Sequence, residues 1–147
     1  MKHLEQKIKF IIISFLMLGF SLKVCSQEVI DFKIKTSENA TERKEMLDLL
    51  RIEVKQDINQ EVLFKVNHFK LLGNYAWFKG DAIERNGKEL IFPDNSYDCC
   101  HVEGLFMNKN NKWELIEIGL FSTDCWQCGL AKRYPKIPNI IFSEEAL

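Results

Sequence analysis

CCHVEGLFMNKNNKWELIEIGLFSTDCWQC, from Cys99 to Cys128, carries two apolar and aromatic segments on either side of a polar link. The segments are Cys99 to Asn108 and Lys112 to Phe121, and the link is Lys109-Asn110-Asn111. That order predicts a β-hairpin. With Asn108 set opposite Lys112, Glu103 falls opposite Glu117; a shift of one residue in the turn sets Glu117 against Gly104 instead. Along a strand His101, Glu103 and Leu105 share one face. An imidazole and two carboxylates on one face, His101, Glu103 and Glu117, form a candidate acid–base or cation-holding group, because charges at short range shift one another's pKa values. The plainer reading makes this the solvated side of a sheet, where charged residues are ordinary.

Cysteines frame the same stretch. A vicinal pair, Cys99-Cys100, opens it and a C-x-x-C, Cys125 to Cys128, closes it. In an exported domain four such cysteines read as two disulfides. A bridge between Cys99 and Cys100 would close a strained ring, so each of them is expected to bond one of Cys125 and Cys128. A Cys125–Cys128 bridge with Cys99 and Cys100 free would instead mark the C-x-x-C as a redox candidate. His101-x-Glu103 followed by the C-x-x-C mimics the ligand pattern of zinc-dependent base deaminases. Asp124 stands where that pattern has Pro, and Asn108-Lys109-Asn110-Asn111 breaks the segment where a helix should run. A thioredoxin-like domain is not expected, since only 19 residues follow Cys128 and no βαβ pattern precedes it. No metal ligand set and no cofactor is therefore assigned. Neither a glycine-rich phosphate loop nor an H-E-x-x-H motif occurs.

Upstream of the hairpin, Val62 to Leu71 alternates and then slips phase at Asn67-His68, the mark of a β-bulge with His68 as a bulge residue rather than a ligand. Gly73-Asn74 turns the chain into Tyr75 to Ile83. Asn86-Gly87 predicts a tight hairpin turn with positive φ at both residues, leading to a short strand, Glu89 to Phe92. Earlier, Glu28 to Lys35 alternates as a strand, with Ile30, Phe32 and Ile34 on one side. Asn39 and Glu42 have capping-box spacing. Behind them, Met46, Leu47, Leu50 and Val54 form one stripe of an amphipathic helix, with Leu49 at its margin. The tail Tyr134-Pro135-Lys136-Ile137-Pro138 is neither helix nor central strand; it is expected to lie across the domain and tuck in Ile140, Ile141 and Phe142. Together these elements predict an α+β fold, one N-terminal amphipathic helix packed on a curved antiparallel sheet of four to five strands. At the open end of such a sheet, Tyr75 and Trp77 are candidate pocket residues.

The first 26 residues stand apart. Lys2, Lys7 and Lys9 precede the uncharged run Phe10 to Phe20, and Val24-Cys25-Ser26 follows. This is the layout of a secretory signal peptide, with Gln27 as the expected mature terminus. The run is shorter than the ~20 residues a membrane-spanning helix needs. Acylation at Cys25, giving a lipoprotein, is the rival reading. Residues 27–147 then make a single domain, with 16 basic and 20 acidic residues and a net charge of −4. Nucleic acid is excluded as a partner, since its binding needs clustered cationic charge.

The helix, GNYAWFKG (Gly73 to Gly80) and KWELIEIG (Lys112 to Gly119) resemble a group of small, uncharacterised exported bacterial proteins. The order of elements is similar to cystatin-like or nuclear-transport-factor-like domains. The first resemblance implies no activity, and the second concerns topology alone. The reading that follows is a periplasmic or secreted non-catalytic binding or accessory module, stabilised by disulfides, with an envelope protein or small molecule as partner. The competing reading is a small acid–base enzyme using His101, Glu103 and Glu117 in a sheet-lined pocket.

Overall fold

The computed structural model describes residues 28–142 apart from 124 and 127. The leader, with Cys25 and the expected cleavage point, lies outside the described residues. Five strands pair antiparallel in chain order: β1 (Ile30–Asp31), β2 (Val62–Leu72), β3 (Tyr75–Glu84), β4 (His101–Lys109) and β5 (Lys112–Leu120). One long helix, α1 (Ala40–Ile58), runs between β1 and β2. A short helix α2 (Leu130–Arg133) and a 3-10 turn (Asn139–Phe142) follow β5. The class is α+β, with one long helix and a five-stranded antiparallel sheet among the described residues. Among the described residues β1 precedes this helix.

The helical stripe buries as its spacing requires. Met46, Leu50, Val54 and Ile58 recur every fourth residue, and Leu47 joins them in the core. Asn59 ends the helix in the left-handed region, its N–H donating to the Lys55 carbonyl at 2.9 Å, the short-polar-residue stop expected there. The start differs from the capping box. Asn39 turns its side chain back onto the preceding loop, accepting from the Thr36 N–H and donating to the Ile34 carbonyl, both at 2.9 Å. The loop's own unpaired groups compete for that amide and win it.

Helix α1 lies on the inner face of the sheet, against Phe69, Phe78, Val102, Phe106 and Trp113. Phe69 and Phe78 meet edge to face at 5.5 Å between ring centroids. The approach at Gly104 is so close that a Cβ there would stand 2.8 Å from Leu50 Cδ2. The outer face carries a second apolar cluster, in which Trp77 and Leu105 are covered by Leu130, Ile137 and Ile141. The proline-containing tail thus covers the sheet as its composition implies, with Ile137 and Ile141 buried, while Ile140 points outward. It covers only one end of β3 and β4. At the other end, on the same face, stand Lys79, Asp81, His101 and Glu103.

Several local expectations change. The first strand shortens to two residues, and of Ile30, Phe32 and Ile34 only Phe32 is buried. Arg43 Nε donates to the Phe32 carbonyl at 2.9 Å, replacing the ladder beyond that point. Gly87 has φ +85 but Asn86 does not share the left-handed region. The turn is therefore closed by Gly87 N–H to the Glu84 carbonyl and Glu84 N–H to the Lys88 carbonyl, a type I turn with a glycine bulge. Glu89 to Phe92 forms no strand, because the edge of β3 it would need is taken by β4, with Ala82 N–H donating to the Cys100 carbonyl.

The bulge at Asn67 is present: Val66 pairs with Gly80 and His68 with Lys79, leaving Asn67 as the extra residue. His68, next to it, has Nε2 2.6 Å from the Ile141 carbonyl, which requires a proton on that nitrogen and ties the 3-10 turn to β2. The bulge also presses β2 onto β3, so that a Cβ on Gly80 would lie 2.4 Å from the Lys65 carbonyl oxygen. Backbone cannot retreat as a flexible side chain can. Gly80→Ala is therefore expected to cost about 1–3 kcal/mol, read as a lower urea midpoint at constant slope. An unchanged midpoint would show that the two strands do not meet this closely.

Candidate functional site

The uncovered end of the outer face forms a cleft of about 440 Å³, lined by Lys79, Asp81, Cys99, His101, Glu103, Ser122, Thr123 and Cys125. Strand alternation builds its floor. Lys79 and Asp81 are two apart on β3, His101 and Glu103 two apart on β4, and the register sets Lys79 opposite Glu103 and Asp81 opposite His101. All four side chains therefore leave the sheet on one side. The wall comes from the chain after β5. Phe121 has φ +56 although it is a bulky, buried residue, a conformation kept only where surroundings enforce it. Here Phe92 and Tyr97 hold its ring at 5.1 and 5.7 Å. Beyond that kink, Trp126 lies over Gly119, where a Cβ would come within 2.2 Å of the indole. The absence of a side chain at Gly119 thus seats the loop that brings Cys125 to the cleft.

The floor is a chain of polar contacts. Glu103 is only 2% exposed, and a carboxylate so buried needs partners. His101 Nε2 donates to its Oε1 at 2.9 Å. The other ring nitrogen, Nδ1, faces Asp81 Oδ1 at 3.5 Å, and Asp81 Oδ2 accepts from Asn67 Nδ2 at 3.0 Å. The bulge residue thus steadies the outer carboxylate. With a carboxylate at each nitrogen, the imidazolium is favoured. The hydrogen bond to Glu103 raises the His101 pKa most; burial opposes it, and the Asp81 contact adds to the rise.

Not all the residues singled out by sequence meet here. His101 and Glu103 do; Glu117 does not. Asn110 and Asn111 both take positive φ, 54° and 61°, so the hairpin turn has two residues and Lys109 pairs with Lys112. Ile116 is an extra residue in β5, and Glu103 consequently lies opposite Gly119 while Glu117 lies opposite Leu105. Glu117 accepts from Arg133 Nε at 3.2 Å and from Tyr134 Oη at 2.9 Å, under the C-terminal segment. Trp77 is 3% exposed, packed edge-on against Phe142 at 5.3 Å, with a void of only about 10 Å³ beside it. Tyr75 packs half-buried on the same cluster. Asp81 and Lys79 were not singled out by sequence, and Asn67 was named only at the bulge, not as a site residue. The signals available were the i, i+2 spacing of Trp77, Lys79 and Asp81 and the phase slip at Asn67.

The cysteine pairing also differs from expectation. Cys125 bonds Cys128, with sulfurs 1.99 Å and Cα atoms 5.2 Å apart, while Cys99 and Cys100 are thiols. Being neighbours, Cys99 and Cys100 point to opposite sides, Cys99 to the cleft and Cys100 against the inner core. They cannot both reach one loop on the outer face. Cys125 and Cys128 sit in a turn, Cys128 N–H donating to the Cys125 carbonyl at 3.1 Å, which brings them within ordinary bridging distance.

Among the described residues no group of three or more His, Cys, Asp or Glu side chains is arranged to hold a metal ion. No described helix is long and apolar enough to cross a membrane. Comparison with protein-family models, curated proteins and solved structures finds no match to the chain.

The raised pKa sets a pH dependence. A group protonated more strongly in the folded chain contributes stability that is full below its ordinary value, 6.5 for histidine, and is lost as pH rises through the raised value. A ring-proton NMR titration should place the His101 midpoint above 6.5, and Glu103→Gln should move it down. A midpoint at or below the ordinary value would contradict the contact with Glu103.

Proposed function

We propose that the chain is a small exported, non-catalytic binding or accessory module whose contact site is the cleft above Glu103. The observation that carries this reading is the imidazole with a carboxylate at each ring nitrogen. A general base needs a nitrogen lone pair facing its substrate, and His101 offers none while both nitrogens are engaged. The acid–base reading named Glu117 as its second carboxylate, and Glu117 is engaged by Arg133 and Tyr134 elsewhere on the sheet.

The cleft has the properties of a recognition site instead. Its volume, about 440 Å³, falls in the range of small-molecule sites, about 300–1,000 Å³. Lys79 and His101 stand beside Asp81 and Glu103, so the lining carries groups of both signs and no strong field of one sign selects a highly charged ligand. Ser122 and Thr123 at the rim and Asp81 at the floor add hydrogen-bonding groups. A small neutral or zwitterionic polar solute fits that chemistry. The basic start and short apolar run of residues 1–26 support export, and a bridged cysteine pair fits an oxidising compartment.

Amide NMR titration with panels of free amino acids and monosaccharides tests the reading. A member of the panel should give saturable shifts centred on Lys79, His101 and Ser122, and His101→Ala should weaken its binding at least about tenfold, equal to 1.4 kcal/mol. Absence of saturable shifts at these residues throughout the panels would overturn the reading, and so would chemical conversion of a probe in the same tube. Export is read separately, by N-terminal sequencing of protein recovered outside the cytoplasm. Gln27 is the expected first residue; an intact Met1 would oppose export.

A further inference from the structure

Two cysteines from separate parts of the chain meet at the cleft. Cys99 and Cys125 both line it, one as a thiol and one as half of the Cys125–Cys128 bridge. The segments that carry them are laced together. Asp98 N–H donates to the Phe121 carbonyl at 3.0 Å, and Phe121 N–H to the His101 carbonyl at 2.7 Å. Asp98 Oδ2 accepts from both the N–H and the hydroxyl of Thr123, at 3.5 and 3.4 Å. Cys99 is thus fixed beside the stretch that ends at Cys125, and the His101 N–H donates to its sulfur at 3.4 Å, orienting it on the cleft wall.

We propose that the cleft is a thiol–disulfide exchange site in which Cys99 is the internal exchange partner of the Cys125–Cys128 bridge. Cys99 loses its proton and its thiolate attacks the Cys125 sulfur. The Cys125–Cys128 bond breaks as the Cys99–Cys125 bond forms, and Cys128 leaves as a thiolate and takes up a proton. One disulfide and one thiol enter the step and one of each leave, so no outside oxidant or reductant is consumed. Exchange of this kind needs a thiolate with access to the disulfide.

Cys100 is unsuited to the role. Its side chain packs against the inner core, and burial, with Asp81 nearby, raises its pKa. Cys128 is exposed, so the exchange would place a thiol at the protein surface, where a low-molecular-weight disulfide could meet it. The proposal is independent of what solute the cleft binds.

The test is to remove the leaving thiol. In Cys128→Ser, Cys125 has lost its partner; equilibrated with oxidised glutathione, which takes up the two electrons released when two thiols join, the variant should show Cys99 linked to Cys125 in most of the protein on peptide mapping without reduction after alkylation. The double variant with Cys99→Ser should return Cys125 as an alkylated thiol, and the one with Cys100→Ser should keep the crosslink. A Cys100–Cys125 bridge, or Cys99 and Cys125 both alkylated in Cys128→Ser, would overturn the proposal. Should Cys128→Ser not fold, the wild-type chain decides. Equilibrated in mixtures of reduced and oxidised glutathione and quenched with acid, it should contain the Cys99–Cys125 crosslink at intermediate poise. Absence of that crosslink across the whole series would overturn the proposal equally.

Discussion

A carboxylate sits on the sheet with 2% of its surface exposed, and the surroundings of Glu103 follow from what that burial demands. An unpaired charge there would cost several kcal/mol, roughly the scale of a small domain's whole stability. His101 meets it at 2.9 Å from two residues away on the same strand, Lys79 stands opposite on β3, and Gly119 stands opposite on β5 with no side chain to intrude. Trp126 fills the space that Gly119 leaves. The polar floor and the cysteine-bearing wall of the cleft therefore share one origin, in the needs of a single buried side chain.

The sheet can hold such a group because it is covered unequally. Helix α1 seals the inner face, where aromatic rings and Leu50 close over Gly104. The outer face is sealed only over Trp77 and Leu105 by the segment from Leu130 to Ile141. Strand alternation then sorts β4 into two sets, Val102, Gly104 and Phe106 inward and His101, Glu103 and Leu105 outward. The boundary between apolar cover and open cleft falls between Leu105 and Glu103. Glu117 lies on the covered side of that boundary, which explains its engagement with Arg133 and Tyr134.

Patterns set by nearest neighbours were legible in the sequence. The stripe from Met46 to Val54 and the phase slip at Asn67-His68 follow from side-chain period alone, and both appear in the structure. Register was not legible, because it turns on one residue's backbone. Asn110 and Asn111 both tolerate positive φ, and the two-residue turn they form, with the extra residue Ile116 in β5, moves Glu117 away from Glu103. The disulfide depended on a longer path still: the kink at Phe121 and the seating of Trp126 on Gly119 decide where Cys125 lies. Asn39 shows a third limit, since its spacing to Glu42 fits a capping box but the loop before it offers better partners.

The pairing of His101 with Glu103 is measured most directly by a double-mutant cycle in denaturant with His101→Ala and Glu103→Leu. His101→Ala leaves the carboxylate buried with the His101 hydrogen bond gone, whereas Glu103→Leu removes the need for that bond. The two changes should be strongly non-additive, with the double variant more stable than the sum of the single losses by about 1–3 kcal/mol. Losses that simply add would mean that His101 does not hold Glu103, and that the floor of the cleft is not built around this pair.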